Sequence, residues 1–255
     1  MNVKVLRNVI VIPIISLAIH GHRASAQDTL RLTDLGYVPG SRANATGVIN
    51  KALAICKTKA HPVLVFPKGR YDLWPQYAAE KAYYESNTDV IPLRRCPILI
   101  EEQQGLVIDG QGSSFVYHDR VQPITIDKSK DISIRNIDID WDIPLTAQAE
   151  VKAVTDAYID ITIDTRESPY IIENGKLVFV GEGWKSAWWD AMEFDRKTRI
   201  VVPQTGDASC LGGNFGGYKA EELSYGLVRL NFPFKRKPAV GNMLVLRHSA
   251  RDHAG

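Results

Sequence analysis

Apolar and polar residues alternate along residues 98–136, and this segment contains the same pattern twice. The matching apolar positions are 26 residues apart. They are Ile98 and Ile124, Ile100 and Ile126, Leu106 and Ile132, and Ile108 and Ile134. Short alternating segments bounded by turn residues predict half-buried strands. Because one coil of strands cannot bury its apolar face alone, a repeat of this kind predicts coils that stack on each other. We therefore expect a mainly β protein built on a right-handed parallel β-helix.

An amphipathic helix is predicted near the start of the mature chain. Asn44 or Thr46 can cap a helix over residues 47–57, whose apolar side chains lie along one stripe. A strand and a turn follow at residues 63–71. A helix in this position would cap the open end of the β-helix, where the first coil otherwise exposes its core and an unpaired edge.

Residues 145–242 break the 26-residue spacing and predict an inserted antiparallel β-barrel-like domain. Residues 148–154 and 158–164 alternate on either side of a short polar turn, which is typical of a β-hairpin. Further short strands separated by Gly, Asn and Pro favour a small barrel or sandwich. The expected domains are a signal peptide at 1–26, the cap and first coils at 27–144, the insertion at 145–242, and a return to the β-helix at 243–255.

The first 26 residues have the features of a secretory signal. Lys4 and Arg7 precede an apolar run at residues 9–19, and small residues up to Ala26 allow cleavage after that position. The run is shorter than the ~20 residues that span a bilayer, and no cysteine follows Ala26 directly to carry a lipid. We expect a secreted or periplasmic protein without a membrane anchor. A buried N-terminal strand is the alternative.

The composition narrows the range of partners. The chain has 255 residues, 45% of them hydrophobic, and its 31 basic and 29 acidic residues give a formal net charge of +2. This balance predicts no binding to nucleic acid. Cys56, Cys96 and Cys210 form no metal-ligand pattern, and a bridge between Cys56 and Cys96 stays open. The sequence indicates no cofactor and leaves the oligomeric state open, a homo-oligomer included.

Three aspartates share one face of a predicted strand. Asp138, Asp140 and Asp142 alternate with apolar residues, so their carboxylates are expected about 6.6–7 Å apart. An inverting glycosidase holds its acid and base about 6.5–9.5 Å apart, which leaves room for a water molecule. The alternatives are a solvated face and a calcium site. Asp140 and Asp142 are candidates for substrate binding.

A second polar cluster follows the predicted insertion. Guanidinium and imidazole groups donate hydrogen bonds to sugar hydroxyls, so Arg247, His248, Arg251 and His253 are candidate substrate-binding residues in a cleft wall. The alternatives are a salt-bridged corner that locks the insertion in place and a metal site, for which two histidines on a turn are weak evidence.

Three tryptophans lie in one segment of the insertion, Trp184, Trp188 and Trp189. An indole ring can stack on the apolar C–H face of a sugar, which makes Trp188 a candidate sugar platform. Packing in the core of a small barrel is the alternative.

Several segments resemble known families. Residues 44–53 and 64–71 are similar to the capping segment of the pectate-lyase-like β-helix superfamily. Leu-Val-Ile-Asp-Gly-Gln-Gly at 106–112, Ile-Asp-Ile-Asp-Trp-Asp-Ile-Pro at 137–144, and Arg-His-Ser-Ala-Arg-Asp-His at 247–253 resemble glycoside hydrolase family 110. That family comprises secreted bacterial α-1,3-galactosidases, and the resemblance covers nearly all of the mature chain.

The resemblance implies an exo-acting glycoside hydrolase that removes terminal α-1,3-linked galactose from oligosaccharides or glycoconjugates. It implies an inverting mechanism without metal or cofactor, in which one aspartic acid protonates the leaving oxygen and another activates water. The catalytic aspartates are expected beyond Gly255, and the 255 residues alone are expected to be inactive. A polysaccharide lyase is one alternative, which the acidic outward positions disfavour. A non-catalytic glycan-binding β-helix protein is another.

Overall fold

The structure is a computed structural model that describes residues 28–83, 92–205, 210–213 and 216–248. Within these ranges it contains one α-helix, α1 (Thr46–Cys56), and a 3-10 helix at Leu32–Leu35. The first strands are β1 (Asp28–Arg31), β2 (Pro62–Val65), β3 (Arg70–Leu73), β4 (Ala79–Ala82), β5 (Leu93–Cys96), β6 (Ile98–Glu101), β7 (Val107–Tyr117), β8 (Ile124–Asp127) and β9 (Ser133–Trp141). The later strands are β10 (Ala147–Val154), β11 (Tyr158–Ile163), β12 (Tyr170–Glu173), β13 (Lys176–Gly181), β14 (Trp184–Phe194), β15 (Lys219–Ser224), β16 (Leu227–Asn231) and β17 (Met243–His248).

A parallel sheet organises the N-terminal part. Its strands lie in the order β1, β2, β7, β3, and β9 also pairs with β7. The repeated segment pairs in parallel, because Ile98 in β6 lies opposite Ile124 in β8, and Ile108 in β7 lies opposite Ile134 in β9. The 26-residue spacing therefore correctly predicts which of these strands are neighbours.

The spacing changes within β7 because of a bulge. Asp109 lies opposite Arg135, but Ser113 lies opposite Ile137, so β7 uses two more residues than β9 over this length. Gly110 lies in the bulge, and a Cβ atom there would be 2.1 Å from Cγ2 of Ile137. Only glycine permits this close approach of the two strands.

The expected right-handed parallel β-helix is wrong. The parallel strands are divided between a five-stranded and a two-stranded sheet, and the largest sheet is antiparallel with eight strands. Residues 243–248, expected to return to the β-helix, form β17 between β14 and β10 of that antiparallel sheet. Apolar alternation specifies the buried face of a strand and its register. It does not specify how many sheets share the strands or in which direction they wind.

Helix α1 confirms the predicted helix at residues 47–57 within one residue at each end. Its buried face, Ile49, Ala52, Leu53 and Cys56, packs into the core beside the parallel sheet. The N-cap is Ala45 rather than the predicted Asn44 or Thr46. Asn44 still contributes from the preceding position, because its Oδ1 atom accepts a hydrogen bond from the backbone N–H of Thr46 at 3.0 Å.

The antiparallel sheet is an almost closed barrel with the strand order β12, β13, β14, β17, β10, β11, β16, β15. Strands β10 and β11 confirm the predicted hairpin, with Ala149 opposite Ile163. The two edges of the sheet are close together, because the Tyr170 hydroxyl of β12 donates to Glu222 of β15 at 2.7 Å. Buried apolar side chains fill the interior, among them Val151, Ile161, Phe179, Val228 and Leu246.

Trp141 joins the cores of the parallel sheet and the barrel. It packs against both apolar clusters, and its indole N–H donates to the carbonyl oxygen of Asp119 at 3.2 Å. Cys56, Cys96 and Cys210 are buried and free, so Cys56 and Cys96 are not bridged.

The predictions for the N-terminus concern residues that the structure does not describe. The predicted signal peptide at 1–26 lies outside the described residues. Within the described ranges, no helix has the length and apolar character needed to cross a membrane.

Candidate functional site

A group of charged side chains lies where the parallel sheet meets the barrel. We call Arg70, Asp72, His118, Asp142 and Glu182 the junction cluster. Arg70 and Asp72 are in β3, whereas His118 and Asp142 directly follow β7 and β9. These three strands are parallel neighbours, so their carboxyl ends meet at one edge of the sheet. Glu182 reaches the cluster from the turn between β13 and β14 of the barrel.

Asp72 is the buried centre of the junction cluster, with no exposed surface. Its Oδ1 atom accepts hydrogen bonds from Nε and Nη2 of Arg70 at 2.9 and 2.6 Å. The same oxygen is 2.9 Å from Nε2 of His118. Burial alone would raise the pKa of Asp72, but the hydrogen bonds and charges of Arg70 and His118 outweigh it and lower the pKa below its ordinary value.

His118 connects the two parts of the molecule. Its Nε2 atom contacts Asp72 of the parallel sheet, while its Nδ1 atom is 2.8 Å from Oε2 of Glu182 in the barrel. The ring is 3% exposed and stacks on Trp74, with ring centroids 3.7 Å apart. Hydrogen bonds therefore fix both ring nitrogens, and the stack on Trp74 fixes the plane of the ring.

The cluster reaches solvent through Asp142. The side chain of Asp142 is 38% exposed, and its Oδ1 atom accepts a hydrogen bond from Nη2 of Arg70 at 2.7 Å. Arg42 lies further out, with its Nη1 atom 3.6 Å from the same oxygen. Asp142 and Arg42 thus offer an acceptor and a donor at the surface, the groups that bind sugar hydroxyls.

Three side chains of the cluster have the composition of a metal site. One ligand atom each from Asp72, His118 and Asp142 lie within 4.8 Å of one another. However, Nη2 of Arg70 is 2.6 Å from Asp72 and 2.7 Å from Asp142, so a guanidinium already binds both carboxylates. Nη1 of Arg42 lies 3.7 and 3.6 Å from the same two oxygens and supplies a second positive charge. A metal ion would have to displace Arg70. The arrangement suits a preformed charged surface better than a metal centre or a proton donor.

The structure brings only one of the sequence-predicted candidates into the junction cluster. Asp142 belongs to it, whereas Asp140 is exposed on β9, where it accepts a hydrogen bond from the backbone N–H of Trp141 at 2.8 Å. Asp138 is also exposed on this strand. Substrate binding by Asp140 and Asp142 stays a prediction.

The other described candidates lie in the barrel. Trp188 is 3% exposed and donates to the carbonyl oxygen of Asp190 at 2.6 Å, so its ring packs in the core and has no open face for a sugar. Arg247 pairs with Asp190 at 3.0 Å. His248 is 1% exposed between the rings of Phe179 and Trp184. The candidates Arg251 and His253 lie outside the described residues.

Four members of the junction cluster were not identified from the sequence. They are Arg70, Asp72, His118 and Glu182. Arg70 and Asp72 alternate along a short strand, and this could have indicated that they share a face. Nothing in the local sequence relates His118 to Glu182, which is 64 residues away along the chain. That contact depends on how the barrel packs on the parallel sheet.

Comparison with known proteins agrees with the observed barrel. Residues 147–244 match the family model of GLAA-B beta-barrel domain I, which begins with β10 and ends within β17. Over 237 residues the chain is 48% identical to alpha-1,3-galactosidase B of Bacteroides thetaiotaomicron, covering 91% of this chain. The chain is a relative of the α-1,3-galactosidases. Alpha-1,3-galactosidase A of Bacteroides fragilis is 33% identical over 91% of the chain, and that of Shewanella woodyi is 35% identical over 87%.

These α-1,3-galactosidases are considerably longer than this chain. The matched region spans 38% of the Bacteroides thetaiotaomicron and Bacteroides fragilis proteins and 36% of the Shewanella woodyi protein. The family match ends at Leu244, so it includes the first two residues of β17, the strand that lies between β14 and β10 in the antiparallel sheet.

Proposed function

We propose that this protein acts as an exo-glycosidase like those of glycoside hydrolase family 110. Its proposed reaction is hydrolysis of terminal α-1,3-linked galactose from oligosaccharides or glycoconjugates. The observation that carries the proposal is its 48% identity to a protein named alpha-1,3-galactosidase over 91% of the chain. The match of residues 147–244 to a GLAA-B barrel domain supports it. Because the matched region is 38% of that relative, the proposal concerns the complete enzyme to which these residues contribute.

The proposed reaction is inverting acid/base hydrolysis. One carboxylic acid protonates the leaving oxygen, and a second carboxylate activates water on the opposite face of the sugar ring. Asp72 is poorly suited to donate a proton at neutral pH. Arg70 and His118 lower its pKa, and its side chain has no exposed surface. From the resemblance to glycoside hydrolase family 110, we propose that the catalytic pair lies in residues beyond Gly255 and that the reaction uses no metal or cofactor.

The role proposed for the described residues is structural and substrate-positioning. His118 holds the barrel against the parallel sheet, and Arg70 fixes the exposed carboxylate of Asp142. Asp142 and Asp140 are then available to accept hydrogen bonds from a galactose-terminated glycan. We also propose secretion or export to the periplasm after cleavage behind Ala26, which is supported by the basic, apolar and small residues in that order at 1–26.

A linkage panel tests the proposed activity. The complete enzyme is incubated with the galactose disaccharides linked α-1,3, α-1,4 and α-1,6, and free galactose is measured over time. We expect release from the α-1,3-linked disaccharide, with β-galactose as the first anomer seen by proton NMR. Equal release from all three linkages would refute the assigned specificity, and α-galactose as the first product would refute inversion.

The 255-residue chain is assayed beside the complete enzyme under the same conditions. We expect no release from the shorter chain, because the catalytic pair is assigned beyond it. Release of galactose by these 255 residues would overturn that assignment while leaving the substrate assignment intact.

Non-catalytic glycan binding is the second candidate. It is favoured by the ion pairing of two of the three cluster carboxylates, Asp72 and Asp142, with Arg70. Saturable binding of the α-1,3-linked disaccharide by the complete protein, without release of galactose, would favour this alternative over hydrolysis.

A further inference from the structure

A cleft on the outside of the barrel is separate from the junction cluster. Its volume is about 560 Å³, within the range of roughly 300–1,000 Å³ that small-molecule sites occupy. Three neighbouring strands, β10, β11 and β17, form its floor, and the loop that follows β11 forms one wall. The side chains used below are Gln148, Glu150, Thr162, Asp164, Ser168 and Met243.

Strand alternation explains the polar floor. Ala147, Ala149 and Val151 of β10 point into the barrel and are buried, so the residues between them point outward. Gln148 is exposed on this outer face, and Glu150 lies opposite both Thr162 of β11 and Met243 of β17. Thr162, Glu150 and Met243 thus lie side by side at about 4.8 Å strand spacing, and Gln148 follows Glu150 on the same face of β10, about 6.6 Å along the strand.

The floor and wall mix hydrogen-bonding groups with apolar surface. Gln148 offers an amide, Thr162 and Ser168 offer hydroxyls, and Glu150 offers a carboxylate. Met243 adds an apolar contact beside them. A sugar presents the same mixture, because its hydroxyl groups donate and accept hydrogen bonds while its C–H groups form an apolar face.

The charges of the cleft are balanced, which favours a neutral ligand over a cation. The Oε1 atom of Glu150 is 3.0 Å from Nζ of Lys152 and 2.7 Å from Nη1 of Arg196. Asp164 accepts hydrogen bonds from the backbone N–H and the guanidinium of Arg166, each at 3.0 Å. Glu150 and Asp164 therefore have their own cations, and the same ion pairs hold them in place before a ligand binds. Glu167 is the third carboxylate of the lining, so the three cations named above balance three carboxylates.

We propose that this barrel cleft is a non-catalytic binding site for a neutral saccharide of one or two rings. The inference rests on the proposed function for the identity of the sugar, which is then an α-linked galactoside. The site would hold the glycan at the barrel, apart from the bond that is cleaved.

Binding is tested with the 255-residue chain by isothermal titration and saturation-transfer NMR. The probes are methyl α-galactoside, the α-1,3-linked galactose disaccharide, and maltose as a second neutral sugar, each up to about 10 mM, a range that reveals weak sites. The variant Gln148→Ala removes the exposed amide from the floor. Gln76→Ala removes an exposed glutamine elsewhere and is the matched control.

We expect at least one galactoside to bind, the Gln148→Ala variant to lose about tenfold or more in affinity, and Gln76→Ala to bind like the unmodified chain. Circular dichroism of both variants checks that they are folded. Failure of all three sugars to bind would overturn the proposal, as would equal affinity of Gln148→Ala and the unmodified chain. Binding of maltose alone would keep a saccharide site but remove the assignment to galactosides.

The outcome is separable from that of the proposed function, because this test measures binding in a chain expected to release no galactose. If the complete enzyme released no galactose, saccharide binding to the cleft would still be established by this test. Conversely, hydrolysis of the α-1,3-linked disaccharide with no binding to the 255 residues would refute the cleft alone.

Discussion

Replacing Asp72 with asparagine tests whether burial makes the junction cluster important for stability. Asp72 has no exposed surface, and its Oδ1 atom faces two nitrogens of Arg70 and one of His118 within 2.9 Å. Asparagine keeps the shape but loses the charge, and its NH2 group would face donors if the amide were reversed. Hydrogen bonds to charged groups contribute about 1 kcal/mol more than neutral ones, so three such contacts predict a loss of about 3 kcal/mol.

Asp142→Asn is the matched control, because Asp142 contacts the same Nη2 atom of Arg70 at 2.7 Å. Its side chain is 38% exposed, whereas that of Asp72 is fully buried. Exposed ion pairs contribute about 0–1 kcal/mol, so this variant should lose less than about 1 kcal/mol. Both substitutions remove a negative charge beside the same guanidinium. They differ in burial and in the number of hydrogen bonds, because Asp72 also contacts Nε of Arg70 and Nε2 of His118.

The assay is urea unfolding at pH 7, followed by tryptophan fluorescence, with the free energy of unfolding compared at equal slope. Equal losses in Asp72→Asn and Asp142→Asn, within about 0.5 kcal/mol, would refute the reasoning from burial. Acid gives a second check. Because the folded pKa of Asp72 is lowered, its contribution is present above the ordinary aspartate pKa of about 3.9 and is lost as the pH falls through the folded value. The gap between Asp72→Asn and the unmodified protein should therefore close below about pH 4.

Three further substitutions test the packing. His118→Ala removes contacts to two carboxylates and the stack on Trp74. We expect the free energy of unfolding, measured in urea, to fall by about 2–4 kcal/mol. A loss below about 1 kcal/mol would contradict the role of His118 in linking the barrel to the parallel sheet. Tyr117→Phe should be neutral or stabilising by up to about 1 kcal/mol, because the buried Tyr117 hydroxyl has no hydrogen-bond partner among the described residues; a lower melting temperature would indicate a partner for that hydroxyl. Leu246→Ala, in the centre of the barrel, should cost about 2–5 kcal/mol, and an unchanged melting temperature would contradict its place in the core.

Neighbouring strands could be predicted from the sequence, but their assembly into sheets could not. The spacing of Ile98 from Ile124 and of Ile108 from Ile134 correctly predicts parallel pairs, because identical patterns bury the same face when stacked in register. The same periodicity fits both a long β-helix and the two short parallel sheets that are present. The position of β17 was missed because its alternation fits a parallel or an antiparallel neighbour equally well.

The candidate site was predictable only in part. Asp138 and Asp140 are exposed, but Ile139 between them is also 46% exposed, so alternation along β9 did not separate an exposed face from a buried one. The ion-pair partners of Asp142 are Arg70 and Arg42, about 70 and 100 residues earlier along the chain. Only the fold brings these residues together. An indole ring can either stack on a sugar or pack in a core, so the sequence left both roles open for Trp188. The structure shows that Trp188 packs inside the barrel.

The most direct test of the proposed function is a time course of the complete enzyme with the α-1,3-linked galactose disaccharide, followed by proton NMR of the anomeric signals. We expect free galactose to accumulate, with its β anomer appearing before mutarotation produces the α anomer. No release of galactose from this disaccharide, under conditions in which the enzyme is folded, would contradict the proposed α-1,3-galactosidase activity.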